Sequence, residues 1–291
     1  MLDKLPSLSE VVRLHGLAAN KKLGQHFLLD MNITDKIARL TTPLNDTTVI
    51  EVGPGPGGLT RSLFKCGVKN VIAIEMDERF LPALDDIGGA ASGTLEVISG
   101  DALKVHIPNH APIAPDKDIK IAANLPYNVG TKLLTNWLTA EPIFWSRAVL
   151  MFQKEVAERV VATVGDSGYG RLAILAQSVC QTDYAFTVPA HAFSPPPKVD
   201  SAVVVLDVLP QSARYAHLSL LGQITAASFG QRRKMLRKSL KAFAAKHGID
   251  VQTWCESCGV NSQQRPEELP PESFQKLTDY VAANSAAAKD S

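Results

Sequence analysis

Thr48-Val49-Ile50-Glu51-Val52-Gly53-Pro54-Gly55-Pro56-Gly57-Gly58-Leu59-Thr60 is the stretch that decides the fold. An apolar, β-branched run reads as a buried strand, and Leu59 to Cys66 carries helical spacing after it. Four glycines and two prolines between them predict a tight turn that brings backbone N–H groups to the helix start. Gly53, Gly55 and Gly58 fit G-x-G-x-x-G, a dinucleotide fingerprint. Gly53, Gly55 and Gly57, with Glu51 two residues earlier, fit the G-x-G-x-G of S-adenosylmethionine enzymes equally well. Both use the same physics, since a helix N-terminus favours either a pyrophosphate or a carboxylate. The loop by itself leaves both open.

Further along, short strands alternate with helical patterns. Lys69–Glu75, Leu95–Ser99, Asp118–Asn124 and Ala148–Phe152 read as strands. Arg79–Leu84, Thr131–Leu138, Lys154–Val161 and Leu172–Cys180 read as helices. This alternation predicts a mostly parallel sheet with helices on both faces, an α/β, Rossmann-like class. Tyr184–Val188 and Ala202–Val208 are expected as an antiparallel pair at the sheet edge. After Pro210 the strand signal stops. Leu218–Phe229, Arg232–His247 and Phe274–Ala283 read as helices. The expected division is therefore 1–209, an α/β domain, and 210–291, a small all-helical domain.

Composition agrees with a globular chain: 291 residues, 45% hydrophobic and 20% charged. No run approaches the roughly 18 apolar residues needed to span a bilayer. Residues 1–20 show no secretory pattern, so a cytoplasmic location is expected. The net charge of +1 hides an asymmetry. Between Val208 and Ile249 there are eight Lys or Arg and no Asp or Glu, and seven of the eight fall from Arg232 to Lys246. With Met235, Leu236, Leu240 and Phe243 as the buried stripe of one helix, Arg232, Arg233, Lys234 and Arg237 project outward. They are candidate contacts for nucleic-acid phosphates. Trp254-Cys255-Glu256-Ser257-Cys258 spells a redox-type motif but follows no strand and lies in a helical region. Reduced thiols and no metal site are expected, because no second pair of ligands is near.

Acids and amides recur at successive strand ends, where open α/β sheets bind ligands. Glu75 lies 24 residues after Glu51 and can accept both ribose hydroxyls of a nucleoside. Asp101 can accept from an adenine amino group. Neither separates NAD from S-adenosylmethionine. Asn124-Leu125-Pro126-Tyr127 does, having the form of the (N/D)-P-P-Y signature of methyltransferases acting on amino nitrogens. The N6 lone pair of adenine is delocalised into the ring and is a poor nucleophile. The Asn124 side-chain oxygen and the Leu125 carbonyl can accept both N6 hydrogens and favour pyramidal character. Pro126 fixes the local backbone, and Tyr127 offers a face for a flipped base.

At this point the chain resembles the 16S rRNA adenine N6,N6-dimethyltransferases over nearly its whole length. The resemblance rests on Leu23-Gly24-Gln25-His26-Phe27-Leu28, Glu51–Thr60, Asn124–Asn128 and Gln153-Lys154-Glu155-Val156. It continues in Tyr169-Gly170-Arg171-Leu172, in Phe193–Ser201 and in Phe229-Gly230-Gln231-Arg232-Arg233-Lys234. It implies a seven-stranded methyltransferase sheet with a small helical, rRNA-binding domain, and S-adenosylmethionine as cofactor. His26 and Leu28 would lie over the cofactor, and Gly53 would line its methionine end. Glu75 would hold the ribose and Asp101 the adenine amine, with Asn124 between cofactor and target. Phe193 would sandwich the target base against Tyr127. The implied reaction is dimethylation of N6 on two adjacent adenosines near the 3′ end of 16S rRNA. The enzyme would act as a monomer on an assembling small ribosomal subunit, with positioning rather than a dedicated base as the source of catalysis. A role as an RNA-binding assembly factor is compatible with the same resemblance. Two positions depart from the family pattern: residue 26 is often Asn and is His here, and Gly130 stands where Ser is common.

Overall fold

The structure is a computed structural model that describes residues 2–17, 19, 25–44, 46–110, 118–231 and 233–287. Its strands are β1 (Phe27–Leu28), β2 (Thr47–Val52), β3 (Asn70–Glu75), β4 (Thr94–Ser99), β5 (Asp118–Asn124), β6 (Arg147–Gln153), β7 (Cys180–Val188), β8 (Phe193–Ser194) and β9 (Ser201–Val208). Its α-helices begin with α1 (Leu8–Leu14), α2 (Met31–Arg39), α3 (Gly58–Cys66), α4 (Leu81–Ala90), α5 (Gly130–Leu138), α6 (Lys154–Val161) and α7 (Arg171–Val179). They continue with α8 (Leu218–Phe229), α9 (Leu236–Ser239), α10 (Lys241–Lys246), α11 (Val251–Ser257) and α12 (Pro271–Ala287).

Packing divides the chain into two compact units. The first is Met1–Leu134, Phe144–Ala157 and Asp183–Asp207; the second is Thr135–Ile143, Glu158–Thr182 and Val208–Ser291. The sequence suggests one cut at 209/210, whereas these units are interleaved, because α7 packs with α8 and α12.

The main sheet has seven strands in the order β4-β3-β2-β5-β6-β9-β7. Strands β2 to β6 are parallel to their neighbours, and β9 runs antiparallel to β6. The inner strands β2, β3, β5 and β6 are almost continuously buried, as a sheet covered on both faces requires. Because the five strands are parallel, Val52, Glu75, Ser99, Asn124 and Gln153 all end at one edge of the sheet. Below that edge, burial of a lysine is tolerated because it is fully occupied. Lys120, 3% exposed, donates to the carbonyls of Thr41 and Pro43 and pairs with Asp118 at 3.3 Å.

A two-stranded antiparallel ribbon, β1 with β8, is a separate element that sequence spacing does not reveal. It pairs Phe27 with Ser194 and Leu28 with Phe193. Its apolar residues, Phe27, Leu28 and Phe193, join the core around Leu63, Phe80 and Leu84.

In the second unit, α8 and α12 bury Leu221, Ile224, Phe274 and Leu277. Tyr169 Oη donates to Leu269 O at 2.8 Å, and Trp254 Nε1 donates to Leu277 O at 3.0 Å. The single helix expected from Arg232 to His247 is instead two short ones, α9 and α10. Leu236, Leu240 and Ala244 form the buried stripe, and Met235 is exposed. The N–H groups of Leu236 and Arg237 bond to the carbonyls of Gln264 and Ser262, so α9 starts against that turn and Met235 stays extended outside it. Cys255 and Cys258 are free thiols on and just after α11. Burial pushes Cys255 up to about 11, and Cys258 donates to Lys276 O. Among the described residues no cluster suits a metal ion, and no helix is long and apolar enough to cross a membrane.

Candidate active site

The turn after β2 is built on left-handed backbone. Gly53, Gly55 and Gly57 have φ of +69°, +54° and +84°, which residues with a Cβ rarely adopt. At Gly57 a Cβ would also collide with Ile87 Cδ1. The loop is pinned to the neighbouring strand, since Gly53 N donates to Ile74 O at 2.9 Å and Gly55 N to Glu75 Oε2 at 3.0 Å.

Glu75 ends β3 and is 5% exposed. Its Oε1 accepts from Asp77 N at 2.8 Å. Burial raises its carboxyl above the usual range, against the lowering effect of these backbone donors. Glu51, 1% exposed, accepts from Thr60 Oγ1 at 2.7 Å. Burial, with the nearby Glu75 charge adding to it, pushes Glu51 up to about 8. Asp77 goes the other way, held at about 2 by the Arg79 guanidinium and by Gln25 Nε2 at 3.0 Å. Asp101 follows β4, and its Oδ1 accepts from Leu103 N at 2.9 Å, closing a turn.

Asn124 ends β5 and its Nδ2 donates to His26 O at 3.3 Å. Leu125 is buried, and Tyr127 Oη lies 2.6 Å from Ser201 Oγ. Burial raises the Tyr127 hydroxyl. The His26 ring stacks on Tyr127 with centroids 5.5 Å apart and planes at 28°. His26 Nδ1 donates to Pro195 O at 2.8 Å. Gly130 sits tightly: a Cβ there would come within 3.1 Å of Leu125 Cβ and 3.2 Å of Phe152 Cε1, so a Ser would need its neighbours to move.

One cavity of about 150 Å³ opens among these elements. His26, Leu28, Gly53, Glu75, Asp101, Asn124, Leu125 and Tyr127 all face it, and Glu51 and Met76 do as well. Phe193 is 4% exposed, packs in the core opposite Leu28 and is not part of this lining. Arg233, Lys234 and Arg237 are exposed in the second unit, while Arg232 lies outside the described residues. Sequence reasoning missed two participants. Glu51 is visible only as the acid preceding the glycines, and nothing in the spacing links Ser201 to Tyr127.

An adenosyl group fits this lining. A carboxylate has about four lone-pair directions. Glu75 uses one on each oxygen for backbone donors and keeps acceptor capacity toward a ribose. With the glycine turn and Asn124 at the next strand end, the fold and site define a Rossmann-like methyltransferase. Residues 16–283 match the family "Ribosomal RNA adenine dimethylase". The Ribosomal RNA small subunit methyltransferase A of Maricaulis maris is 52% identical over 276 residues, covering 95% of both chains. That of Cereibacter sphaeroides is 50% identical over 282 residues, 97% of this chain and 99% of its own. A crystal structure of a dimethyladenosine transferase from Plasmodium falciparum superposes with a TM-score of 0.71 at 29% identity, covering 89% of this chain and 98% of that one. The 23S rRNA methyltransferase ErmE shares the fold, with a TM-score of 0.59 at 24% identity over 88% of this chain and 99% of its own. The chain belongs to the ribosomal RNA adenine dimethylase family and is an S-adenosylmethionine-dependent enzyme of that class.

Proposed function

We propose that this enzyme dimethylates N6 of two adjacent adenosines near the 3′ end of 16S rRNA, acting as a monomer in the cytoplasm on an assembling small subunit. The observation that carries the reading is the convergence of Glu75, Asp101 and Asn124–Tyr127 on one cavity at three successive strand ends.

S-adenosylmethionine, when bound, supplies a methyl group made electrophilic by the sulfonium beside it. Gly53 and the loop N–H groups would meet its amino-acid end, Glu75 its ribose and Asp101 its adenine amine. His26 and Leu28 would close over it. Asn124 turns its amide nitrogen to the His26 carbonyl, which leaves Oδ1 as the acceptor for an N6 hydrogen. The Leu125 carbonyl takes the other. Holding both hydrogens off the ring plane frees the nitrogen lone pair for attack. No base is assigned, because the methylated amine is a strong acid and sheds its proton unaided. Tyr127 stacks the flipped base. Phe193 supports the site from within the core, behind Leu28.

The second unit is proposed as the rRNA-binding part, with Arg232, Arg233, Lys234 and Arg237 meeting phosphates. Nucleoside mass spectrometry tests the whole reading. Unmethylated small subunits incubated with enzyme and cofactor should yield N6,N6-dimethyladenosine at two adjacent positions; its absence would refute the assignment.

A further inference from the structure

Ser201 opens β9, is fully buried, and lies opposite Gln153 in the ladder with β6. Its backbone is therefore a fixed point of the sheet. Its Oγ meets Tyr127 Oη at 2.6 Å, near the short end of hydroxyl–hydroxyl distances. Tyr127 stands on a loop, not on a strand, and its ring turns about two soft torsions. The Ser201 bond anchors the far end of the ring. The His26 ring braces the face, and His26 is itself held by Pro195 O and by the adjoining β1–β8 ribbon. The same His26 carbonyl orients the Asn124 amide.

We infer that Ser201 is a positioning residue: its bond to the Tyr127 phenol, with His26 as the brace, sets the plane on which the target adenine stacks beside the Asn124 acceptor. This rests on the reading of Tyr127 as the base platform. A platform tilted by a fraction of an ångström still binds the subunit, whose affinity comes from many other contacts, but presents N6 off line.

The experiment is a double-mutant cycle on unmethylated small subunits. Tyr127→Phe and Ser201→Ala should each lower kcat about tenfold, the scale of a small misplacement at a reacting centre. KM for the subunit and Kd for the cofactor should stay at wild-type values. The double variant should be no slower than either single one, because all three lack the same bond. A wild-type kcat for Tyr127→Phe, or effects that multiply, would overturn the inference. If Ser201→Ala folds poorly in a thermal melt, Tyr127→Phe decides alone, since it deletes only the phenol oxygen. Tyr127→Ala separates the two layers of argument. Full turnover in that variant removes the base platform itself, whereas abolished turnover beside a normal Tyr127→Phe removes only the role of Ser201.

Discussion

The first unit buries a few of its charged side chains, whereas the basic stretch of the second displays its own. Glu51, Glu75 and Lys120 lie at 1%, 5% and 3% exposure in the first. Arg233, Lys234, Arg237, Lys238 and Lys241 stand in water in the second. A buried carboxylate without a cation is driven toward neutrality and must be satisfied bond by bond. Such a site recognises one ligand shape, and a single substitution damages it. Exposed cations are screened beyond about 8 Å at physiological salt and act together on a polyanion. They give affinity in many small, salt-sensitive increments. Under the proposed function, selectivity for the reacting base and cofactor belongs to the first unit and general affinity for RNA to the second.

The hardest test of the contrast is Phe193→Ala. Sequence reading makes Phe193 a stacking partner, but the structure places it inside the core. Truncation should cost about 3–5 kcal/mol of stability in urea unfolding. A variant as stable as wild type, yet inactive, would return Phe193 to the base.

Next comes the titration of Glu51. Its carboxyl is raised from 4.5 to about 8 in the folded chain, so the fold holds a proton that the unfolded chain releases. Stability from this group is complete below about pH 4.5 and declines as pH rises through 8. Glu51→Gln, which can still accept from Thr60, should match wild type near pH ~4 and exceed it at pH ~8.5 by up to about 4 kcal/mol. Parallel stability curves would show that Glu51 is ionised inside the fold.

Glu75→Ala should weaken cofactor binding by about 1.5–3 kcal/mol in calorimetry, the scale of a hydrogen bond to a charged acceptor. An unchanged Kd would make Glu75 only a clasp on the Gly55 and Asp77 amides. Tyr127→Ala should leave that Kd alone and slow methyl transfer through the missing stack, worth about 1–3 kcal/mol.

The smallest effect per residue belongs to the basic stretch. Replacing Arg232, Arg233, Lys234 and Arg237 by Gln should leave cofactor affinity unchanged. It should flatten the slope of log K against log salt by about 0.7–0.9 for each phosphate that is no longer neutralised. A wild-type slope would make these charges a solubility feature and move the rRNA footprint elsewhere.

The sheet was legible because its strands are local patterns. Asp118–Asn124 is read with the same ends from sequence and structure, and Arg147–Gln153 differs by one residue at each end. The positions of Glu75, Asp101 and Asn124 followed, since a parallel sheet puts successive strand ends on one edge. The ribbon was not legible. Its strands are two residues each, and their pairing joins positions 27 and 194, which no window of periodicity spans. The Tyr127–Ser201 bond is hidden for the same reason. The basic helix failed differently: Leu236, Leu240 and Ala244 keep helical spacing, but Leu240 ends one helix and caps the start of the next.

The interleaving of the units has a consequence for anyone who would separate them. The helical unit is stitched from three stretches of chain, and two of them, 135–143 and 158–182, are encoded ahead of the last strand of the sheet. Stopping translation at residue 209 would leave α7 without α8 and α12, and the buried Tyr169 hydroxyl without the Leu269 carbonyl. Such a truncate would be sticky, and residues 210–291 expressed alone would lack their α7 counterpart. Swapping the helical unit between relatives therefore means exchanging three stretches of chain through five junctions, not one.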